Sequence, residues 1–429
     1  MEKLNEDFII NLSNNKGEPL WMKNFRLNSY KKFLELDNPS FGPKINIDFD
    51  NLVYHKGLFA PPSCSWENVD KKVKNTFNDL GVIEAENKYL KGVSNQYESE
   101  VIYHKMEESD GIIFLSTDEA LKKYPELFEK YFNNLVKYDE NKYTALNGAL
   151  WSGGSFIYIP PYTKVDRPLQ SYFRIDTKNL GQFERTIIIV DHDSSLHYIE
   201  GCTAKNYSTT SLHAGVVEIY VGKNSTCKYS TIQNWSKDVY NLVTKRAILE
   251  EGAYMQWVDG NIGSGVTMKY PSCILKGDNS KASSISIAYA KEGQHLDAGA
   301  KMIHLGKNTK STIISKSIAG FGGTSDYRGT VKIAKEAIGS FATIKCDNII
   351  LDNISSSNTY PKNIVENNES TLEHEATISK INEEKLNYLM SLGISEDAAK
   401  DLYVLGFMSD FKKSLPMEYA VELNRLIKE

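Results

Sequence analysis

The feature that most constrains the fold of this chain is a repeat in its middle. Between residues 186 and 352, β-branched and aromatic residues dominate, and polar turns rich in Gly, Asn, Asp and Ser interrupt them. Six apolar anchors, spaced by 31, 28, 26, 30 and 28 residues, each precede such a turn: Val190, Val221, Leu249, Leu275, Leu305 and Ile333. In most copies a large apolar residue stands eight positions after the anchor: Tyr198, Tyr229, Trp257, Ile313 and Phe341. The Leu275 copy departs from this pattern, with Ser283 at that position and Ile285 two residues later.

A period of this length is typical of repeat architectures, in which one unit cannot bury its own apolar face and must stack on its neighbours. The strand-rich composition predicts a mainly β fold, a β-helix or related β-solenoid. A leucine-rich repeat is disfavoured because its Asn and Leu signature is missing. A two-sheet β-sandwich with evenly spaced strands remains the alternative.

The flanking segments have helical patterns. Ser116 and Glu119 have the spacing of a capping box, and Pro125 is placed to open a further helix. From Ala376 onward the chain is expected to become helical again, with a last helix over residues 417–427. The predicted division is an N-terminal mixed, largely helical region (1–145), a β-helix core (146–365) and a C-terminal helical region (366–429).

Charge and cysteine usage exclude several classes of protein. The net charge of −5 and the absence of a basic block argue against nucleic acid or an anionic membrane surface as a partner. No apolar run has the length of a membrane span or a signal peptide, so we expect a soluble, cytoplasmic protein. The five cysteines are dispersed without a Cys-x-x-Cys pair, which argues against a disulfide framework and a self-contained zinc site.

One group of residues has side chains that could bind a metal ion. Cys346 lies near the end of the repeats, and Glu373, His374 and Glu375 follow about thirty residues later. Thiolate, imidazole and carboxylate groups together can bind iron. Both features also have an interpretation without metal binding. A free cysteine is usually a small buried apolar residue, and an acidic cluster is often the solvated start of a helix.

The position of each cysteine within its repeat predicts how the thiols are placed. Cys202 and Gln233 both lie 12 residues after their anchors, which predicts that they stack on one face. Cys346 lies 13 residues after its anchor, which predicts a bulge or the opposite face. Five rungs at about 4.8 Å each separate Cys202 from Cys346 by roughly 24 Å. These two thiols therefore cannot form a disulfide or share one ion.

Several enzymatic motifs are missing. The chain has no P-loop, so we expect no ATP-binding residues and no ATP hydrolysis of its own. The glycines at residues 263 and 265 lack the third glycine of a dinucleotide fingerprint. Asp191 and Asp193 offer paired carboxylates, and a polysaccharide-active β-helix enzyme is therefore one alternative function.

Long strings of the chain, from about residue 66 to the C-terminus, resemble the SufB family, the scaffold of the Suf iron–sulfur cluster assembly machinery. The strings that carry this resemblance are 151–158 (WSGGSFIY), 168–174 (PLQSYFR), 181–186 (GQFERT), 199–204 (IEGCTA), 232–236 (IQNWS) and 374–377 (HEAT).

The resemblance implies a right-handed parallel β-helix between helical ends, acting as a scaffold without an enzymatic activity of its own. It also implies a SufC-like ATPase docked on the C-terminal helices and a cysteine desulfurase system as sulfur donor. A SufD-like paralogue or a second SufB copy would join through the β-helix, with a transient iron–sulfur cluster forming at that interface. A requirement for reduced flavin stays open.

The resemblance also implies roles for individual residues. Cys202 would accept sulfur, and Arg174, Gln233 and Trp235 would line an internal sulfur path. The resemblance implies further that the cluster is built at Cys346 with Glu375 and His374 as additional ligands.

Two departures from the family bear on these roles. Cys64 is the sole cysteine in the N-terminal region, where some members carry a cluster of them, and Asp176 replaces an Asn that is frequent in relatives. A SufD-like subunit with a purely structural role remains an alternative.

Overall fold

A computed structural model describes residues 3–57, 59–107, 111–205, 210–409 and 411. Within these ranges its α-helices lie towards the two ends of the chain, with seven before the main β region and two whose bounds are described after it. These helices are α1 (Glu6–Lys16), α2 (Leu20–Glu35), α3 (Lys71–Asp79), α4 (Val82–Tyr89), α5 (Thr117–Lys123), α6 (Pro125–Tyr131), α7 (Lys142–Leu150), α8 (Glu383–Ser391) and α9 (Glu396–Phe407). None of the helices in the described ranges is long and apolar enough to span a membrane.

The strands occupy most of the remaining chain. They are β1 (Gly92–Tyr97), β2 (Glu100–Met106), β3 (Ile113–Ser116), β4 (Ser155–Ile159), β5 (Leu169–Ile175), β6 (Gly181–Gln182), β7 (Arg185–Val190), β8 (Ser195–Ala204), β9 (Ser211–His213), β10 (Val216–Val221), β11 (Thr226–Asn234), β12 (Val239–Leu249), β13 (Tyr254–Ile262), β14 (Val266–Lys269), β15 (Ser272–Leu275), β16 (Lys281–Ala290), β17 (His295–His304), β18 (Lys310–Ala319), β19 (Thr324–Ile333), β20 (Phe341–Ile350), β21 (Ser356–Val365) and β22 (Thr371–Lys380).

The strands form two sheets. Sheet I has the order β2-β1-β5-β8-β11-β13-β16-β18-β20-β22, and sheet II runs from β21 through β19, β17, β14, β12, β10, β7 and β4 to β3. From β5 onward the chain alternates between the two sheets, and the strands within each sheet pair in parallel. This alternation produces a β-solenoid of about eight turns. The predicted parallel β-helix with helical ends is confirmed, and the β-sandwich alternative is wrong.

The polar turns of the repeat have one shared backbone conformation. At the same place in six successive turns, one residue has a positive φ between 55° and 70°: Asp193, Asn224, Gly252, Asn279, Asn308 and Gly339. The backbone N–H of each bonds the next turn, as Asn224 does to the carbonyl of Glu251 at 2.9 Å. Gly, Asn and Asp tolerate this left-handed conformation best, which explains why these residues punctuate the repeat.

The register of the strands corrects two positions of the predicted repeat. His304, rather than Leu305, stacks between Leu275 and Ile333, and Leu305 is 42% exposed just beyond the strand. His304 can take an apolar position because Thr309 and Ser311 bond its two ring nitrogens at 2.7 and 2.8 Å.

The second correction concerns the large residue that follows each anchor. In the last repeat, Ile344 rather than Phe341 stacks on Ile313. In the repeat that departed from the pattern, Ser284 occupies the equivalent place. The turns differ in length, so the residue that stacks in this column does not always stand eight positions after the anchor.

The structure confirms part of the prediction for the helical segments that flank the solenoid. Ser116 caps α5 by accepting a hydrogen bond from the Glu119 amide at 3.2 Å, and α6 begins at Pro125 as predicted. The chain returns to helix at Glu383 rather than at Ala376, because β22 continues the solenoid to Lys380. The helix predicted over residues 417–427 lies outside the described residues.

Candidate functional site

The inward face of sheet I carries three columns of side chains, because parallel strands in register stack equivalent residues. The Tyr198 column is mainly apolar and contains Tyr198, Tyr229, Trp257, Ser284, Ile313, Ile344 and His374. The Glu200 column contains Glu200, Thr231, Asp259, Ser286, Ser315, Cys346 and Ala376. The Cys202 column contains Cys202, Gln233, Asn261, Ala288, Ser317, Asn348 and Ile378.

The two candidate thiols share the inward face. Cys202 pairs directly with Gln233, as their equal spacing predicted. Cys346 is also inward, so the prediction of a bulge or the opposite face is wrong. The turn between β19 and β20 is three residues longer than the turn between β7 and β8, so Cys346 stands two positions earlier on its strand than Cys202 does. Cys346 therefore keeps the inward face but joins the column of Glu200 instead of that of Cys202.

Cys202 is buried beside a carboxylate. Its Sγ lies 3.8 Å from Oε1 of Glu200, and Phe173 packs on it from the preceding strand. Burial raises the pKa of the Cys202 thiol well above its usual range, and the Glu200 charge raises it further. Formation of a thiolate at this position therefore depends on compensation by nearby cations.

Such cations lie inside the solenoid. Lys245 Nζ is 3.1 Å from Glu200 Oε1 and 3.3 Å from the Tyr229 hydroxyl, which itself donates to Glu200. Burial acts to raise the pKa of Glu200, but Lys245 and Tyr229 outweigh it and the pKa is lowered. One strand further, Lys269 Nζ lies 2.8 Å from Asp259 Oδ1.

The sequence analysis did not single out the four charged residues of this interior: Glu200, Lys245, Asp259 and Lys269. A signal was present, because Lys245 lies four residues before the anchor Leu249, and an even offset along a strand places a side chain on the anchor's own face.

A polar network surrounds the predicted path residues Gln233 and Trp235. Asn241 Nδ2 donates to Gln233 Oε1 at 2.5 Å, and Asn241 Oδ1 is 2.9 Å from His213 Nδ1. The Trp235 ring lies 4.7 Å from the ring of His213. The Nε2 of Gln233 and the Nε1 of Trp235 are buried without a hydrogen-bond partner in the described part of the chain. These two donors are therefore available to a group inside the solenoid.

Arg174 does not join this interior network. It follows Phe173, whose register partner is Cys202, so alternation turns Arg174 to the outer side of β5. There its guanidinium bonds Asp176 at 2.7 Å and the Thr203 hydroxyl at 3.1 Å.

Beyond Asp259 the inward side chains of the Glu200 and Cys202 columns become small and uncharged, whereas the Tyr198 column continues with the larger Ile313 and Ile344. The hydroxyls of Ser286 and Ser315 bond each other at 3.2 Å, and Ser315 is the register partner of Cys346. On sheet II the facing positions include Ala298 and Ala300. Polar and small side chains therefore continue from the charged cluster to the second thiol.

Cys346 is buried one strand before the end of the solenoid. Burial raises the pKa of its thiol to about 12, and the nearby Tyr327 hydroxyl only partly offsets this rise. His374, on the last strand, shares the inward face with Cys346, and its Nδ1 is 3.0 Å from Asn363 Nδ2.

Glu375 lies on the opposite face of the same strand. It is the register partner of Lys345, its carboxylate is 3.7 Å from Lys345 Nζ, and its side chain is 67% exposed. Within one chain, the structure thus brings His374 but not Glu375 to the face that carries Cys346.

The predicted ligands Cys346, His374 and Glu375 do not form a metal-binding group among the described residues of one chain. Across the described residues, no three side chains of His, Cys, Asp or Glu are grouped so that they could hold a metal ion. The edges of β21 and β22 end the two sheets, and most of their side chains are exposed.

The other cysteines are either buried in the apolar core or exposed at the surface. Cys227 and Cys273 lie in the apolar core, where Trp257 Nε1 is 3.2 Å from Cys273 Sγ, and Cys64 is exposed. Asp191 accepts hydrogen bonds from the Tyr158 hydroxyl and the backbone N–H of His192.

Comparison with known families decides the membership of the chain. Residues 173–407 match the model described as SUF system FeS cluster assembly, SufBD core domain, and residues 68–171 match the SufBD protein N-terminal region. The chain belongs to the SufBD family.

SufBD relatives match almost the whole chain. The iron–sulfur cluster assembly protein SufB of Bacillus subtilis is 53% identical over 429 residues, which cover 99% of this chain and 92% of that protein. SufBD family proteins of Staphylococcus saprophyticus and Staphylococcus aureus are each 54% identical over the same shares. The strings that predicted membership lie within these matched regions.

Proposed function

We propose that this chain is the scaffold on which the SUF system builds iron–sulfur clusters, with Cys202 accepting sulfur and Cys346 receiving it. The observation that carries this proposal is the polar interior between the two thiols. Cys346 stands in the same column as Glu200, the neighbour of Cys202, and polar side chains occupy all four positions between Glu200 and Cys346.

Sulfur acceptance at Cys202 requires no oxidant or reductant. The Cys202 thiolate attacks the outer sulfur of a donor persulfide, so the new S–S bond forms as the donor S–S bond breaks. The donor leaves as a thiolate and takes up the proton that the Cys202 thiol has lost. Lys245, held beside Glu200, provides a positive charge close to the thiolate that forms.

The cluster would form as a product at the open end of the solenoid. Cys346 and His374 supply inward sulfur and nitrogen groups, and Glu375 supplies a carboxylate from the outer face. Since this set is too small to complete a cluster, a paralogue or second copy docked on β21 and β22 would contribute the missing ligands.

Helices α8 and α9 are proposed as the docking element for an ATPase partner. Large apolar side chains are exposed on both helices and directly after α8: Tyr388 on α8 at 65%, Leu392 at the end of α8 at 61% and Leu402 on α9 at 47%. Exposed apolar groups of this size on short terminal helices are characteristic of an interaction surface.

Anaerobic co-purification with the ATPase and the paralogue tests the proposal. After reconstitution we expect iron, acid-labile sulfide and a thiolate-to-iron absorption band in the wild-type complex. Cys346→Ala should abolish all three, whereas the matched control Cys273→Ala, which removes a buried thiol from the apolar core, should retain them. Equal cluster formation by both variants would instead favour a structural, SufD-like subunit.

A further inference from the structure

Tyr327 is a buried tyrosine whose hydroxyl has no hydrogen-bond partner in the described part of the chain. The residue lies on β19 of sheet II, on the inward face of the strand, and it is 1% exposed. A phenylalanine would fill the same space without the cost of burying an unpaired hydroxyl. Packing alone therefore does not account for the hydroxyl of Tyr327.

The column of sheet II that contains Tyr327 faces the Glu200 column of sheet I. Two strands before Tyr327 this column contains Lys269, whose Nζ lies 2.8 Å from Oδ1 of Asp259 in the Glu200 column. The two columns therefore touch across the solenoid. Tyr327 stands two strands beyond Lys269, and Cys346 stands three strands beyond Asp259, so the tyrosine and the thiol are offset by a single strand.

The ring of Tyr327 occupies space that Gly329 leaves open. A Cβ atom at Gly329 would lie 2.8 Å from Cε1 of Tyr327 and 3.0 Å from its hydroxyl oxygen, which is too close for a side chain. The register partners on the preceding strand are also small, with Ala298 beside Tyr327 and Ala300 beside Gly329. These three small residues make room for the phenol in this orientation.

Tyr327 and Cys346 also affect each other's ionisation. Burial raises the pKa of Tyr327 well above its usual range, and the Cys346 thiol raises it further. The phenol therefore keeps its proton and acts as a hydrogen-bond donor. A neutral thiol is a weak acceptor for such a donor, whereas a thiolate is a strong one because the hydrogen bond is then charge-assisted.

We propose that Tyr327 is a positioning residue for Cys346, and that its hydroxyl donates a hydrogen bond to the Cys346 sulfur when this sulfur is a thiolate ligand of the nascent cluster. The bond would stabilise the anionic sulfur and hold it on the inward face, which His374 shares. Groups that bond a metal's ligands commonly change the metal affinity by about ten- to a hundredfold. This inference rests on the proposed function, because it assumes that Cys346 ligates the cluster.

The variant Tyr327→Phe removes the hydroxyl and keeps the ring. In the reconstituted complex we expect the reduction potential of the cluster to become more negative, because a hydrogen bond that offsets the charge on sulfur is lost. A competing chelator should remove iron from the variant at about tenfold lower concentration. The melting temperature of the isolated chain should stay the same or rise, because a buried unpaired hydroxyl has been removed.

Tyr143→Phe is the matched control, since it removes the hydroxyl of another buried tyrosine. The Tyr143 hydroxyl donates to Asn38 Oδ1 at 2.7 Å in the N-terminal region. Loss of this bond should lower the melting temperature of the isolated chain. The reduction potential and the iron retention of the complex should stay at their wild-type values.

The outcomes separate this inference from the proposed function. A wild-type potential and wild-type iron retention in Tyr327→Phe overturn the role of Tyr327 and leave the scaffold proposal intact. Loss of iron together with a lower melting temperature of the isolated chain also overturns that role, because the hydroxyl would then be structural. Equal cluster content in the wild-type and Cys346→Ala complexes refutes the proposed function, and this inference with it.

A spectroscopic measurement observes the donated proton directly. Proton electron–nuclear double resonance of the reduced cluster, compared in H₂O and D₂O, should show an exchangeable proton coupled to the cluster in the wild-type complex. The signal of this proton should be missing from Tyr327→Phe and retained in Tyr143→Phe. An identical spectrum in the wild-type complex and Tyr327→Phe counts against the proposal.

Discussion

Cys346 and Glu200 stand in the same inward column of sheet I, five strands apart. The second candidate thiol is thus aligned with the carboxylate beside Cys202 and not with Cys202 itself. Under the proposed function, a sulfur species that left Cys202 would have to shift by one column, past Glu200 and Lys245, before it met the residues that lead to Cys346. In that proposal, the charged cluster would be the first region that such a species encounters.

The ion pair between Glu200 and Lys245 should contribute strongly to the free energy of unfolding. Lys245→Met leaves the Glu200 carboxylate buried without its cation, and we expect a loss of about 3–5 kcal/mol in the free energy of unfolding. The double variant Glu200→Gln, Lys245→Met should recover most of that loss. Urea unfolding followed by circular dichroism measures both. Equal losses in the single and double variants would contradict the coupling.

Glu375 should matter to the complex and not to the isolated chain. Its contact with Lys345 is an exposed one, so Glu375→Gln should change the unfolding free energy by less than about 0.5 kcal/mol. In the assembled complex the same variant should lower the iron and sulfide content. Glu366→Gln, which alters a half-exposed carboxylate paired with Lys332, is the matched control and should leave both contents unchanged.

His304 should make the fold sensitive to acid. Burial lowers its pKa to about 4, below the value of about 6.5 expected in the unfolded chain. Because the unfolded state then binds more protons, stability should fall as the pH drops from about 6.5 to 4, by up to about 3 kcal/mol.

The variant His304→Leu should flatten this part of the stability profile, measured as the melting temperature against pH. His197, whose pKa burial and Lys228 also lower to about 4, should account for a separate share that His197→Asn removes. An unchanged slope in both variants would exclude these histidines as the source.

The open end of the solenoid should carry the partner interface. Ile378 ends the Cys202 column on the last strand and is 48% exposed. Ile378→Lys should weaken association with the paralogue or second copy about tenfold or more while leaving the isolated chain folded. Ile354→Lys, at a turn residue that is 77% exposed, is the control. Size-exclusion chromatography with light scattering gives the association state of each variant.

Much of the fold could be predicted because its determinants are local. The period of the anchors, the left-handed turn residues such as Asn224 and Asn279, and the cap at Ser116 each depend on a few neighbouring residues. Predicted positions within the repeat were wrong where the length of a turn changed. The sequence favours Leu305 over His304 as the anchor, because an imidazole with two hydroxyl partners cannot be distinguished in sequence from a surface histidine.

By itself, the sequence determined the repeat, the polar turns, the family resemblance and the identity of the candidate thiols. Only the tertiary structure decided which side chains share the interior. Glu200 and Lys245 are 45 residues apart and lie in different sheets, and they meet because strands of sheets I and II face each other across the solenoid. The same packing turned Cys346 inward and Glu375 outward. Strand register depends on turns of unequal length and on long-range pairing, and neither is encoded within a single repeat.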